Sequence, residues 1–113
     1  MVIPSVGAIV LVSFPFSDLS NSKLRPAVVI AETGRNDWIL CQITSKSYAD
    51  QSAIEITHTD LLNGAFRKDS YARPVRLFTA NAAIMTRHIG TLTNGKLEEI
   101  IRALILLLEK SIV

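Results

Sequence analysis

Arg25 stands at the mouth of an apolar run, Pro26 to Ala31, directly after a polar stretch that supplies Ser17, Asp18, Ser20, Asn21, Ser22 and Lys23. A guanidinium fixed at a strand end offers charge and planar paired donors, which suits it to hold a phosphate. Lys23 adds a second positive charge two residues away. Thr44 and Ser45 close a later apolar run, followed at once by Lys46. A hydroxyl there can donate to a phosphate oxygen, or it can bond its own turn. Asp18 offers a carboxylate that could take up a proton, or could equally close an Asx-turn. From residue types alone, Arg25 divides evenly between gripping an anion and solvating a strand end.

Other chemistries have little to stand on. His58, His88 and Cys41 lie far apart and lack ligand spacings such as H-x3-H or C-x2-C. No D-x-D pattern joins the aspartates, so no metal site is expected. Neither G-x-x-x-x-G-K-[ST] nor G-x-G-x-x-G occurs, which argues against a nucleotide cofactor, and no G-x-S-x-G elbow presents a serine nucleophile. No cofactor of any kind is expected.

The elements that must position these residues are short. Strands are predicted at Ala8–Phe14, Pro26–Ala31, Trp38–Ile43, Ala53–Ile56, Tyr71–Leu77 and His88–Leu92. Glu32 to Asp37 reads as a hairpin turn, because Gly34 and Asn36 tolerate positive φ. Thr59 to Gly64 predicts one helical turn, capped by Thr59 and stopped by Gly64. Pro74 makes its strand an edge or a bend. A C-terminal helix, capped by Thr93 or Asn94, places Leu97, Ile100, Ile101, Leu104, Ile105, Leu107 and Leu108 on one broad face. Leu106 falls on the opposite side, where one exposed leucine is ordinary. Strands followed by a helix predict a mainly β fold, a small antiparallel sheet closed as a barrel with the helix packed on it.

Composition sets the class. With 113 residues, 49% hydrophobic and 19% charged, the chain is long enough for one domain, residues 1–113, and unlike a disordered segment. No apolar run approaches the ~20 residues of a membrane span, and MVIPSVG lacks the basic start of a secretory signal. Cys41, the single cysteine, lies among Trp38, Ile39 and Leu40 and reads as a buried small hydrophobe. These features fit a reducing cytoplasm. Net charge is only +2, yet eight of the 12 basic residues fall between Lys23 and Arg76. Gathered on one surface, they could track a nucleic-acid backbone. Tyr48, just after Lys46, is the aromatic best placed to stack a base. Trp38 and Phe66 read as core.

Four segments in order resemble the MazF/PemK (Kid-like) toxins of bacterial toxin–antitoxin pairs. They are G-A-I-V-L-V-S-F from Gly7, R-P-A-V-V from Arg25, C-Q-I-T-S from Cys41 and S-Y-A-R-P-V-R-L-F-T from Ser70. The resemblance implies an SH3-like barrel, a homodimer, an antitoxin partner, and sequence-specific, ribosome-independent cleavage of single-stranded RNA without a metal. In that chemistry the 2′-OH attacks the adjacent phosphorus, leaving a 2′,3′-cyclic phosphate and a 5′-OH. Arg25 would stabilise the phosphorane, Thr44 would bond a phosphate oxygen, and Asp18 would be the base. Lys23, Ser45, Lys46, Arg73 and Tyr48 would bind RNA. Two alternatives accompany the resemblance: a binding toxin of the gyrase-poisoning kind, and a degenerate relative that binds RNA or antitoxin only. The second is motivated by Val75, which stands where many relatives carry an aspartate.

Overall fold

The structure is a computed structural model and describes residues 2–15, 22–46 and 51–112. Seven strands build one antiparallel sheet: β1 (Ala8–Pro15), β2 (Ser22–Gly34), β3 (Asp37–Thr44), β4 (Ile54–Ile56), β5 (Leu61–Gly64), β6 (Ser70–Asn81) and β7 (Met85–Leu92). Their spatial order is β4-β6-β3-β2-β1-β7-β5. Helix α1 (Asn94–Glu109) follows.

The apolar runs are continuous, not alternating, because both faces of the central strands are covered. One cluster gathers Val10, Val12, Ala27, Val29, Trp38, Leu40, Ala80 and Met85. The other gathers Ile9, Val28, Cys41, Ile43, Ile56, Ala72, Leu92 and Ile100 beneath α1. Trp38 and Cys41 are buried as expected, and Phe66 packs against the second cluster. Register shifts between β1 and β7 at two places curve the sheet toward a barrel.

One local expectation needs correction, and two are made specific. Thr59 to Gly64 is not a helical turn. A 3-10 turn spans His58–Asp60, with Thr57 in the capping position, and Leu61–Gly64 continues as β5 against β7. The hairpin between β2 and β3 turns on Arg35 and Asn36, at φ 54° and 65°. Two central residues of positive φ give the twist that antiparallel strands require, and Asn81 Nδ2 steadies the turn by donating to the Arg35 carbonyl oxygen at 3.2 Å. Finally, β6 is no edge, since it lies between β4 and β3. It bends instead: from Cys41↔Leu77 to Ile43↔Ala72, two steps of β3 match five of β6. Pro74, fully buried, sits in the excess, where its missing N–H costs no ladder bond.

Helix α1 begins on Thr93, whose Oγ1 accepts from the Lys96 N–H at 3.3 Å. Asp60 anchors the same corner. Its carboxylate accepts from the Thr57 N–H at 2.8 Å and lies 3.6 Å from Lys96 Nζ. Partial burial raises its pKa, but the Thr57 bonds and Lys96 outweigh this and hold the carboxyl below its ordinary range. Thr93→Ala should cost about 1 kcal/mol by removing the cap, read as a lower denaturation midpoint with an unaltered slope.

The expected apolar face of α1 is only half covered. Ile100 is buried, and Leu97 and Ile101 pack on the second cluster. Beyond them Ile105, Leu107 and Leu108 are exposed, joining Leu106 and Ile112. Amphipathic spacing set the face correctly, but the sheet beneath does not extend that far.

Candidate active site

Arg25 lies on β2 opposite Val12 of β1, and Ala27 lies opposite Gln42 of β3. Continuing that antiparallel register by two residues brings Arg25 beside Thr44, the last residue of β3. The two residues line one cleft of about 340 Å³, together with Lys23, Ser45, Lys46 and Ser70. Five of the eight residues expected to act on phosphate or RNA therefore meet: Lys23, Arg25, Thr44, Ser45 and Lys46. They come together because β2 starts where β3 ends. Arg25 and Thr44 are half-buried, while Lys23, Ser45 and Lys46 are exposed at the rim.

The cleft is cationic. Lys23, Arg25 and Lys46 contribute three positive charges, and among the described residues no carboxylate lines it. Such a concentration of one sign raises the local population of anions. Thr44 Oγ1 accepts a hydrogen bond from the Lys46 N–H at 3.2 Å. The turn reading of Thr44 is thus realised, yet it leaves the hydroxyl proton to donate. That bond also orients the oxygen, so the donor is fixed before any ligand arrives. Buried Ser70 donates to the Lys68 carbonyl oxygen at 3.1 Å, closing the floor.

Arg73 does not line this cleft. It is half-buried on β6, two residues beyond Tyr71, which pairs directly with Thr44. Glu55 of β4 pairs with Tyr71 from the other side. Directly opposed residues share a face, so Thr44, Tyr71 and Glu55 form one row leading away from Arg25. Sequence reasoning passed over Tyr71 and Glu55. The signal for Tyr71 was present: small Ser70, Ala72 and Pro74 alternate with long Tyr71 and Arg73, and the structure buries the small set and leaves Tyr71 and Arg73 half-buried. Asp18 and Tyr48 lie outside the described residues.

His88 is exposed, and its Nε2 meets Thr91 Oγ1 at 3.1 Å, a local structural contact. His58 belongs to the 3-10 turn. Among the described residues no three His, Cys, Asp or Glu side chains could jointly hold a metal ion. No helix of these residues is long and apolar enough to cross a membrane.

Residues 5–108 match the model of the PemK-like, MazF-like toxins of type II toxin–antitoxin systems. The chain belongs to this family. No curated protein matches the toxin's sequence. Among solved structures, MazF in the MazE–MazF complex of Deinococcus radiodurans is similar at a TM-score of 0.77 and 15% identity, covering 98% of the toxin and 100% of that chain. An endoribonuclease in complex with its cognate antitoxin from a mycobacterial species gives a TM-score of 0.68 at 17% identity, over 96% and 95% of the two chains. Mycobacterium tuberculosis toxin MazF-mt6 gives 0.64 at 13% identity, over 88% and 96%. At these identities the likeness is one of fold, and the toxin has the expected mainly β architecture with a C-terminal helix.

Proposed function

We propose that residues 1–113 form one toxin domain that cleaves single-stranded RNA, with mRNA as the target. Cleavage is sequence-specific and needs neither metal nor ribosome. The observation that carries this reading is the cationic cleft joining Arg25 to the oriented hydroxyl of Thr44. Family membership supports it, as do solved structures of the same fold described as endoribonucleases.

In this mechanism the ribose 2′-oxygen bonds to the adjacent phosphorus and the bond from phosphorus to the 5′-oxygen breaks. The proton of the 2′-OH goes to a base, for which Asp18 is the candidate, and the departing 5′-oxygen takes up a proton from water to give the 5′-OH end. Arg25 and Thr44 stabilise the negative oxygens of the phosphorane. A guanidinium holds its proton tightly, so Arg25 is assigned charge stabilisation, and the mechanism assigns it no proton transfer. Lys23, Ser45 and Lys46 hold flanking phosphates, and Arg73 and Tyr48 are the remaining RNA-binding residues of this reading. The test is incubation with single-stranded RNA in EDTA and analysis of the product ends. Cyclic 2′,3′-phosphate and 5′-OH ends are expected, and intact RNA sinks the reading.

The toxin acts in the cytoplasm, as a homodimer, and is neutralised by an antitoxin whose acidic segment covers the cleft. The uncovered end of α1 supports the dimer, because Ile105, Leu107 and Leu108 need a partner surface. Leu108→Glu should shift the toxin toward monomer at micromolar concentration in light scattering. A wild-type protein that is itself monomeric removes the basis for this prediction.

A further inference from the structure

A second cationic cavity lies on β1, β7 and the connection between β5 and β6. It measures about 560 Å³ and is lined by Leu11, Ala65, Arg67, Arg87, His88 and Ile89. Arg67 comes from the connection between β5 and β6, whereas Arg87 and His88 come from β7. Among the described residues neither arginine is ion-paired, and no carboxylate lines the cavity. Both arginines are exposed, so their charges stay hydrated and open to an incoming anion. The hydrogen bond between His88 Nε2 and Thr91 Oγ1, at 3.1 Å, holds the imidazole at the wall.

Register relates this cavity to the cleft. Leu11 of β1 pairs with Pro26 on one side and with Arg87 on the other. Pro26 lines the cleft, and Leu11 and Arg87 line the cavity. Pro26 and Arg87 therefore lie on strands two apart, about 10 Å at the backbone, so one extended single strand can cross both. The lining also suits a nucleotide better than a bare ion. Leu11 and Ile89 give an apolar wall, while guanidinium and imidazole planes can stack on a base as well as meet its phosphate.

We propose that the Arg67–Arg87–His88 cavity is a second RNA subsite, holding a nucleotide that flanks the scissile phosphate. This rests on the ribonuclease reading above, and it makes β7 and the β5–β6 connection part of the substrate path. A substrate confined to the cleft would then be bound more weakly than one that reaches both sites.

The test compares the wild type with a paired variant, Arg67→Gln with Arg87→Gln, and with a charge-matched control, Arg35→Gln with Arg102→Gln. The probes are an unstructured RNA of a dozen or so nucleotides and a substrate trimmed to the bases around the cut. Cleavage gives KM and kcat, and fluorescence anisotropy across a salt series gives binding. The paired variant should raise KM for the long RNA about tenfold, with kcat much less affected, and should flatten the salt dependence by about 1.4 in log–log slope. It should also erase most of the wild-type preference for the long substrate. The control should follow the wild type, and thermal midpoints of all variants check that the fold persists. A paired variant with wild-type KM and salt slope overturns the subsite. So does one that retains RNA binding but loses binding of an acidic antitoxin peptide, since the cavity would then be a protein site. A wild type that neither binds nor cleaves RNA fails the ribonuclease reading itself, a result distinct from either.

Discussion

Arg25→Ala should lower RNA cleavage by at least 10²–10³-fold, with the fall in kcat. That is the usual consequence of removing one preorganised donor from a developing oxyanion, on the order of 3–4 kcal/mol of barrier. A charged donor stands at the upper end of that range, because phosphorane formation concentrates negative charge on the oxygens it faces. The lesion should be chemical and not structural. Arg25 is half-buried, three residues into β2, whereas the core begins at Ala27 and Val28. The thermal midpoint should therefore move by only a few degrees, on the order of 1 kcal/mol or less. Arg25→Lys should recover part of the rate, since it restores charge but not the planar paired donors. Cleavage at the wild-type rate by Arg25→Ala would remove this residue from the mechanism. Loss of cleavage with toxicity retained would favour the gyrase-poisoning type of binding toxin, whose effect does not pass through RNA.

Arg25 and Thr44 were legible because each closes an apolar run with a polar residue, and a sheet must bring such ends together when the runs pair. The pairing itself was not legible. That Thr44 stands next to Tyr71, and Tyr71 next to Glu55, follows from register, which depends on where β6 bends around Pro74. A proline announces a bend but not how many residues the bend absorbs. The α1 face shows the complementary limit. Period 3.6 spacing identifies which side of a helix is apolar, yet it carries no information about how far the underlying sheet extends. Ile105 and Leu108 have the same pattern as Ile100 and a different fate. The β5 strand was missed for a third reason. Thr59 to Gly64 contains a helix cap and a helix stop, but only four residues separate them. Such a short segment takes its form from the neighbour it meets, here β7.

That meeting of β5 and β7 sets the largest expected stability effect, at Gly64. Gly64 has φ +84° and pairs with Gly90. A Cβ on Gly64 would collide with the Ile89 carbonyl oxygen and the Gly90 backbone, and one on Gly90 would lie 2.6 Å from the Asn63 carbonyl oxygen. These obstacles are main chain, which cannot rotate aside as a side chain would. Gly64→Ala thus combines an unfavourable backbone region with an overpacked contact, costing together about 3 kcal/mol or more. Gly34→Ala separates the two contributions. Gly34 has φ +111°, but a Cβ there meets nothing within 4 Å, so it should show backbone strain alone, about 1–2 kcal/mol. Gly95, near the start of α1 and in open space, should instead gain up to ~1 kcal/mol on change to Ala. Chemical denaturation of the three variants should rank them Gly95, Gly34, Gly64 from most to least stable, and equal losses at Gly34 and Gly64 would dismiss the steric argument. The consequence reaches function. Residues 65–68 leave β5 directly after Gly64 and carry Arg67, and Ile89 adjoins His88 and Arg87. Prising β5 from β7 would separate the two arginines before the sheet unfolds. Gly64→Ala should therefore weaken binding of long RNA at temperatures where the central strands, which hold Arg25 and Thr44, remain intact.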